Sequence, residues 1–237
     1  MRPPHPQLLR SLEEKTRPGN AALVVIDMQN DFCSPKGMMA REGFDTSPVE
    51  AMAARLPRLV DAARAAGVLV VFVRNVYSTE ANWYLSDVWL EQAARRRRGS
   101  YTERPVCPPE SWSGDFYGDV RPQPDEVVVT KHRFCAFTNT DLDLVLRSHG
   151  VRTIVLAGVA TNACVETTAR AGFVRDYYVV FTSDGTAAYD DEAHRATLRT
   201  IDLYFGEVVS IDDLVTLWQP RRAQAGDARA QVVGAHA

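Results

Sequence analysis

The sequence lacks the features that mark several classes of protein. It contains four cysteines and no Cys-x-x-Cys pair, which argues against a disulfide framework or a cysteine-rich zinc site. No apolar run approaches the length of a membrane span, and the first 20 residues contain no apolar segment typical of a secretion signal. The 27 basic and 30 acidic residues nearly balance, and no nucleic-acid-binding motif is present. We therefore expect a cytoplasmic globular protein with reduced thiols that binds neither membranes nor nucleic acids.

What the chain does contain is a series of short apolar runs that alternate with helical patterns. Uninterrupted apolar runs of this length are typical of strands buried on both faces. Their alternation with helices predicts an α/β fold with a doubly wound, mainly parallel sheet that is covered by helices on both faces. The predicted strands are residues 21–27, 68–73, 127–130, 154–159, 177–183 and 207–211, and the main predicted helices are 48–66, 140–149, 190–204 and 212–218.

The composition also predicts the domain organisation. Residues 1–20 carry several prolines and are expected to form an arm outside the core, and residues 21–218 fit one large domain. Residues 219–237 have the composition of a frayed tail. Residues 74–124 are irregular and rich in aromatic side chains, and they are too long for a plain connection. We expect them to form a functional excursion over one end of the sheet.

Cys164 lies where the predicted strand 154–159 turns into a helix. A thiol at a helix N-terminus faces unpaired N–H groups and the positive end of the helix dipole, which favour the thiolate. The same N–H groups can hold an oxyanion. Cys164 is therefore a candidate nucleophile, although a single Cys among apolar residues is more often a small core residue.

Two further reactive side chains follow predicted strands in the same way. Asp27 ends the first strand and Lys131 comes directly after the third. Parallel sheets place ligands beyond the carboxyl ends of their strands, so these two side chains and Cys164 are expected at one edge of the sheet. An ordinary ion pair between Asp27 and Lys131 is the alternative interpretation.

These residues lie in segments that resemble the isochorismatase-like cysteine hydrolase family. The resemblance runs in order from about residue 21 to residue 215 and implies a six-stranded, Rossmann-like three-layer fold with an Asp27-Lys131-Cys164 triad. It also implies a cis peptide bond between Val159 and Ala160, which directs the Ala160 N–H toward an oxyanion site beside the Cys164 N–H. The matching segments are Val24-Val-Ile-Asp-Met-Gln-Asn-Asp-Phe32, Thr130-Lys-His-Arg-Phe134 and Gly158-Val-Ala-Thr-Asn-Ala-Cys-Val165.

Within this family the sequence is most similar to the subgroup of ureidoacrylate amidohydrolase and biuret hydrolase, with N-carbamoylsarcosine amidohydrolase more distant. Segments 41–47 and 205–209 carry this likeness. Asn75 occupies the place of an asparagine suited to hydrogen-bonding a ureido group, whereas Phe134 stands where ureidoacrylate amidohydrolases have a tyrosine. No histidine lies between His5 and His132, so the metal site of nicotinamidases is not expected, and no cofactor is implied.

Several aromatic residues are candidates for the substrate pocket. Phe32, Phe134 and Phe137 are expected to line it and Trp83, Tyr84 or Trp89 to cover it, with core or interface packing as the alternative for each. His132 and Cys135 flank Lys131 and are interpreted as structural. The run from Arg95 to Arg98 is interpreted as a solvated helix end, with a subunit or anionic-substrate contact as the alternative.

The sequence therefore predicts a metal-independent cysteine amidohydrolase. Its substrate would be a small ureido or carbamoyl compound, cleaved at a C–N bond through a thioester with release of ammonia or carbamate. A different amide, such as a lactam or an aromatic carboxamide, is an alternative substrate. A non-catalytic binding protein on the same scaffold is the alternative from another class. The resemblance also implies a homo-oligomer, a dimer or a tetramer.

Overall fold

The computed structural model describes residues 7–77, 83–95 and 105–219 of the 237-residue chain. Six strands form one sheet in which every pair of neighbours is parallel. The predicted α/β class, with a doubly wound six-stranded sheet, is confirmed. The strands are β1 (Ala21–Ile26), β2 (Leu69–Asn75), β3 (Val127–Lys131), β4 (Thr153–Val159), β5 (Tyr178–Ala187) and β6 (Glu207–Val209).

The strand order across the sheet is β3-β2-β1-β4-β5-β6. Chain order therefore reverses between β1 and β4, which are hydrogen-bonded neighbours from Ala21–Thr153 to Ile26–Gly158. In sheets of this kind the crevice at the carboxyl ends of the two strands flanking the reversal is the usual ligand site. Asp27 directly follows β1, and the segment that carries Cys164 follows β4.

Helices cover both faces of the sheet, and each face has its own hydrophobic core. One core includes the central helices of residues 47–66 and the last helix, and the other includes helices between residues 142 and 204. None of the helices in the described part of the chain is long and apolar enough to cross a membrane. The helices are α1 (Leu12–Lys15), α2 (Asn30–Cys33), α3 (Met38–Arg41), α4 (Ser47–Ala53), α5 (Leu56–Ala66), α6 (Asp87–Arg95), α7 (Leu142–Ser148), a π-helical turn (Thr161–Val165), α8 (Glu166–Phe173), α9 (Asp191–Tyr204) and α10 (Ile211–Trp218).

The predicted helix 48–66 is in fact two helices, α4 and α5. Pro57 lies at the start of α5 and has no N–H to donate. Its ring would also clash with the carbonyl group of Ala53, the last residue of α4, so one continuous helix cannot form. Gly67 ends α5 in a left-handed conformation with φ 76°, as the sequence predicts.

The described part of the predicted N-terminal arm lies against the domain. Leu9 is buried, and the Trp218 indole N–H donates to the Thr16 carbonyl oxygen at 2.9 Å. Lys15 forms an ion pair with Glu207 at the end of the sheet. These contacts join residues 7–20 to β6 and α10.

The end of the aromatic-rich excursion returns to the carboxyl end of β1. The backbone N–H groups of Asn30 and Asp31 donate to the carbonyl oxygens of Asp115 and Ser113. The Asp31 side chain, which is fully buried, accepts hydrogen bonds from the backbone N–H groups of Met38 and Cys107. This described end of the excursion thus lies against the segment that directly follows β1 and Asp27.

Candidate active site

Asp27, Lys131 and Cys164 meet at the carboxyl edge of the sheet. Lys131 Nζ lies 2.7 Å from Asp27 Oδ2 and 3.5 Å from Cys164 Sγ. The relative exposures are 1%, 0% and 7% for Asp27, Lys131 and Cys164, so the three groups form a site almost closed to solvent. The sequence-based prediction that they converge agrees with this geometry.

Each of the three N–H donors of Lys131 has a nearby acceptor. Besides Asp27 and Cys164, the ammonium group donates to the carbonyl oxygen of Arg133 at 3.0 Å. Nζ therefore lies between an ion-pair partner, a thiol and a carbonyl oxygen. Lys131 therefore acts as a fixed cation between an acid and a thiol.

The charges in this site change the pKa of each group. Burial lowers the pKa of Lys131, but the charges and hydrogen bonds of Asp27 and Cys164 outweigh it, so the pKa is raised. Burial raises the pKa of Asp27 above its usual range, against the opposing effect of Lys131. Burial also raises the pKa of Cys164 to about 12, with Lys131 opposing and Asp27 adding to the rise.

In this environment the pKa of Cys164 is raised, whereas its position at the start of a helix was expected to favour the thiolate. The α-helix begins only at Glu166, after a π-helical turn, and the buried sulfur lies beside a carboxylate. Lys131 supplies one positive charge and can balance one anion, whereas Asp27 and Cys164 are two acids. Asp27, whose side chain interacts with the thiol, is a group that can take up the thiol proton.

The turn before Cys164 is tightly constrained. Gly158 has φ 111°, and a Cβ at this position would collide with the backbone of Ile26 in the neighbouring strand. The Val159–Ala160 peptide bond is cis, as the family resemblance implies. The Ala160 carbonyl oxygen accepts hydrogen bonds from the N–H groups of Ala163 and Val165, which closes the turn.

Asn75 ends β2, next to Lys131 in the register of β3. Its side chain is fully buried, and neither the amide oxygen nor the amide nitrogen has a hydrogen-bond partner among the described residues. A buried polar group without a partner costs about 1–3 kcal/mol, so such a group calls for an explanation. An amide held without partners beside Lys131 is suited to hydrogen-bonding a polar substrate.

Gln29 positions Asn75, a role that the sequence analysis missed. The Gln29 amide accepts from the Asn75 N–H at 2.6 Å and donates to the Asn75 carbonyl oxygen at 3.0 Å. It also donates to the Gly114 carbonyl oxygen at 2.8 Å. The only signal in the sequence was a polar residue within the motif that contains Asp27, and this signal does not specify a backbone partner.

An aromatic cluster lies beside Lys131. The ring of Phe134 is 4.8 Å from that of Trp89 and 6.5 Å from that of Tyr77, whose ring lies 5.9 Å from Lys131 Nζ. Phe134 remains 37% exposed, which leaves its ring accessible for contact with a ligand. We refer to Tyr77, Trp89 and Phe134 as the aromatic wall.

Two of the other aromatic candidates also lie near this site. Tyr84 stacks on His132 at 3.6 Å, and its carbonyl oxygen accepts a hydrogen bond from Arg133. Phe32 is buried, and its carbonyl oxygen accepts a hydrogen bond from Tyr189 at 2.9 Å. The proposed substrate role of Phe32 stays a prediction.

Phe137 and Trp83 are not part of the aromatic wall. Phe137 stacks on Tyr177 at 5.8 Å and packs near Gly172, toward the amino ends of β4 and β5. These buried contacts are those of a core residue, which is the alternative interpretation given for Phe137. Trp83 is 81% exposed, and its proposed role in covering the pocket stays a prediction.

The residues that flank Lys131 have structural contacts. His132 Nδ1 lies 2.7 Å from the Val76 carbonyl oxygen, and Cys135 Sγ accepts the Phe137 N–H at 3.4 Å.

Arg95, the first residue of the arginine run, is largely exposed and pairs with Glu91 one helical turn earlier. The remaining arginines, 96–98, lie outside the described residues.

Comparison with known proteins identifies the family. Residues 21–213 match the Isochorismatase domain model. A protein of Pseudomonas savastanoi pv. phaseolicola named ureidoacrylate amidohydrolase RutB is 37% identical over 212 residues, which cover 87% of this chain and 86% of that protein. A protein of the same name from Methylobacterium radiotolerans is 38% identical over 216 residues, which cover 88% of this chain and 84% of that protein.

Solved structures share the fold. A cysteine hydrolase from Pseudomonas syringae pv. phaseolicola superposes with a TM-score of 0.74 and 29% identity, covering 90% of this chain and 98% of that chain. The N-carbamoylsarcosine amidase of Thermoplasma acidophilum shares the fold, with a TM-score of 0.65 and 23% identity. The match covers 81% of this chain and 97% of that chain. The chain belongs to the isochorismatase family and, with these amidohydrolases among its relatives, it is a hydrolase that acts on carbon–nitrogen bonds.

Proposed function

We propose that this protein is a cysteine-dependent amidohydrolase in which Cys164 is the nucleophile, Asp27 the general base and acid, and Lys131 the cation that holds them together. The observation that carries the proposal is the position of Lys131 Nζ, 2.7 Å from Asp27 Oδ2 and 3.5 Å from Cys164 Sγ. An ordinary structural ion pair has no need of a thiol as a third partner.

The first half of the reaction breaks the C–N bond. Cys164 Sγ attacks the carbonyl carbon while its proton passes to Asp27, and the carbonyl electron pair moves onto the oxygen. Asp27 then gives the proton to the departing nitrogen, which leaves as ammonia or an amine, and a thioester remains on the enzyme. The raised pKa of Asp27 suits this role, because a base that must also donate its proton works best with a pKa nearer to neutrality.

The second half of the reaction restores the enzyme. Asp27 takes a proton from water, and the resulting hydroxide attacks the thioester carbonyl. The C–S bond breaks, the sulfur recovers a proton from Asp27, and the acid product leaves. In both halves the negative oxygen would be held by the backbone N–H groups of Ala160 and Cys164, each worth roughly 10²–10³ in rate.

We propose a ureido or carbamoyl compound as the substrate. The buried Asn75 amide, unpartnered among the described residues, offers two N–H donors and a carbonyl acceptor to a group that itself carries both kinds of atom. The relatives named ureidoacrylate amidohydrolase, at 37% and 38% identity, support this class. Phe134 lacks the hydroxyl group that the resemblance leads one to expect there, so ureidoacrylate itself need not be the preferred member of the class.

A second candidate is favoured by the aromatic wall. Tyr77, Trp89 and Phe134 form a cluster of aromatic rings, and the Tyr77 ring lies 5.9 Å from Lys131 Nζ. Such a surface suits a substrate with an apolar or planar group next to its amide, such as a lactam or an aromatic carboxamide.

The test is to measure turnover of a panel of ureido, carbamoyl, lactam and aromatic amide compounds, scored by ammonia release or by product chromatography. We expect Cys164→Ser to abolish turnover of any hit while the melting temperature stays close to that of the wild type. Cys135→Ala is the matched control, because it removes a thiol outside the site and should remain active. Near-normal activity of Cys164→Ala would overturn the proposed mechanism, and no turnover of any compound would favour a non-catalytic binding protein.

A further inference from the structure

The turn that carries Cys164 is held from outside by a histidine of α9. His194 Nδ1 lies 2.9 Å from Thr161 Oγ1, across 33 residues of sequence. Thr161 is fully buried, and it begins the π-helical turn that ends just after Cys164. It also directly follows Ala160, the residue proposed to supply the second oxyanion donor. The Thr161 hydroxyl group is thus placed to fix both proposed donors at once.

The next side chain on the same face of α9 makes a separate contact with α8. Thr197, one turn after His194, donates its hydroxyl hydrogen to Glu166 Oε2 at 2.7 Å. The other carboxylate oxygen of Glu166 pairs with Arg170 within α8. Helix α9 therefore holds the Cys164 segment at two points, one before the nucleophile and one after it.

The environment of His194 keeps its ring neutral near neutral pH. Burial lowers the pKa of His194 and the charge of Arg195 adds to this, while Asp191 and the Ser183 backbone act in the opposite direction. In a neutral imidazole Nδ1 either accepts or donates a hydrogen, and the Thr161 hydroxyl group can take the complementary role in both cases.

We propose that His194 is a positioning residue for the reaction, which acts through Thr161 to hold the Ala160–Cys164 turn in its productive geometry. This inference rests on the proposed function, in which the turn supplies both the nucleophile and the oxyanion donors. His194 itself does not touch the substrate. Misplacing a reacting group by about 1 Å can cost about 10²-fold in rate, so a hydrogen bond remote from the chemistry can have a large effect.

The test compares variants of His194 and Thr161 with wild type. We expect His194→Leu and Thr161→Val each to lower kcat by about 10- to 100-fold with little change in KM, because the turn is misplaced while substrate contacts remain. The double variant should be no slower than either single variant, since both remove the same hydrogen bond. His194→Asn should recover most of kcat, because its amide reaches the position of Nδ1, whereas His194→Gln should not.

Thr197→Val is the matched control. It removes the second contact of the same helix, so we expect a lower melting temperature without a fall in kcat. An equal loss of kcat in Thr197→Val, additive losses in the double variant, or wild-type kcat in His194→Leu would each overturn the inference.

A failure of the positioning role of His194 can be distinguished from a failure of the proposed amidohydrolase function. If wild type turns over no compound, the proposed function fails, and the rate of Cys164 alkylation by iodoacetamide, followed by mass spectrometry, then tests the positioning role. Loosening the turn should expose the buried sulfur, so His194→Leu should label faster than both wild type and Thr197→Val. Equal labelling of all three proteins would contradict the role of His194 in holding this turn.

Discussion

The side chain of Gln29 pairs with the backbone of Asn75 in the manner of a neighbouring strand. It accepts the Asn75 N–H at 2.6 Å and donates to the Asn75 carbonyl oxygen at 3.0 Å. Both residues are fully buried. The backbone of Asn75 is therefore satisfied while its side-chain amide has no partner among the described residues, which is the arrangement required of a preorganised substrate contact.

Replacing Gln29 by Met should cost both stability and substrate affinity. Met has a similar volume but no hydrogen-bonding amide, so the buried N–H and carbonyl groups of Asn75 lose their partners, at about 1–3 kcal/mol for each. We expect a lower midpoint of urea unfolding and a higher KM. Gln29→Glu should lose even more stability, because its carboxylate would be buried against the carbonyl oxygens of Asn75 and Gly114. A Gln29→Met protein with wild-type midpoint and KM would show that this pairing is unimportant.

Replacing Asn75 by Leu should separate stability from function. The side-chain amide contributes no hydrogen bond within the described part of the protein, so an apolar side chain of similar size should leave stability unchanged or raise it. The KM for a ureido substrate should rise, by about tenfold or more if one or two hydrogen bonds are lost. Thermal unfolding measures the stability of the variant, and steady-state kinetics measure its KM. A fall in stability with unchanged KM would contradict a role in substrate binding.

The fold and the three central residues could be predicted because they depend on local patterns. Buried parallel strands appear as apolar runs, and Asp27 and Lys131 each stand where such a run stops. Strand order then brings them to one edge of the sheet, together with Cys164. The break between α4 and α5 was equally open to prediction, since Pro57 excludes a continuous helix.

What could not be predicted depends on distances between segments far apart in the chain. The pKa of Cys164 is set by burial and by the two side chains beside it, and a helix position in the sequence reveals neither. Phe134 and Phe137 are three residues apart, yet one joins the aromatic wall and the other enters the core near Tyr177. The pairing of His194 with Thr161 joins residues 33 positions apart and left no local signal.

Replacing Asp27 by Asn should stop turnover and yet make Cys164 more reactive toward iodoacetamide. The Asp27 charge raises the pKa of the thiol, and without it Lys131 has only the sulfur anion to balance. The thiolate fraction at neutral pH should therefore increase, while the base needed for the reaction is gone. Mass spectrometry of the alkylated protein and an ammonia-release assay measure the two effects. Slower labelling of Asp27→Asn would mean that the carboxylate promotes the thiolate in the free enzyme.

The pH dependence should report the raised pKa of Asp27. The reaction needs the carboxylate form, so kcat/KM should fall as the pH is lowered through the pKa of Asp27 in the free enzyme. Burial raises this pKa, so the fall should occur at a higher pH than the value of about 3.9 for an exposed aspartic acid. Circular dichroism at each pH separates loss of activity from acid unfolding. A folded enzyme whose kcat/KM is constant down to pH about 4 would contradict this assignment.

Removing Lys131 should destabilise the protein more than removing both members of the ion pair. Lys131→Met leaves the Asp27 carboxylate buried without its cation, and breaking a buried pair in this way typically costs about 3–5 kcal/mol. Part of this cost disappears at low pH, since the carboxyl group can then take up a proton. Adding Asp27→Asn removes the uncompensated charge, so the double variant should recover stability but not activity. Urea unfolding of both proteins checks this, and a double variant less stable than Lys131→Met would show that the two residues stabilise the fold by something other than their mutual charge.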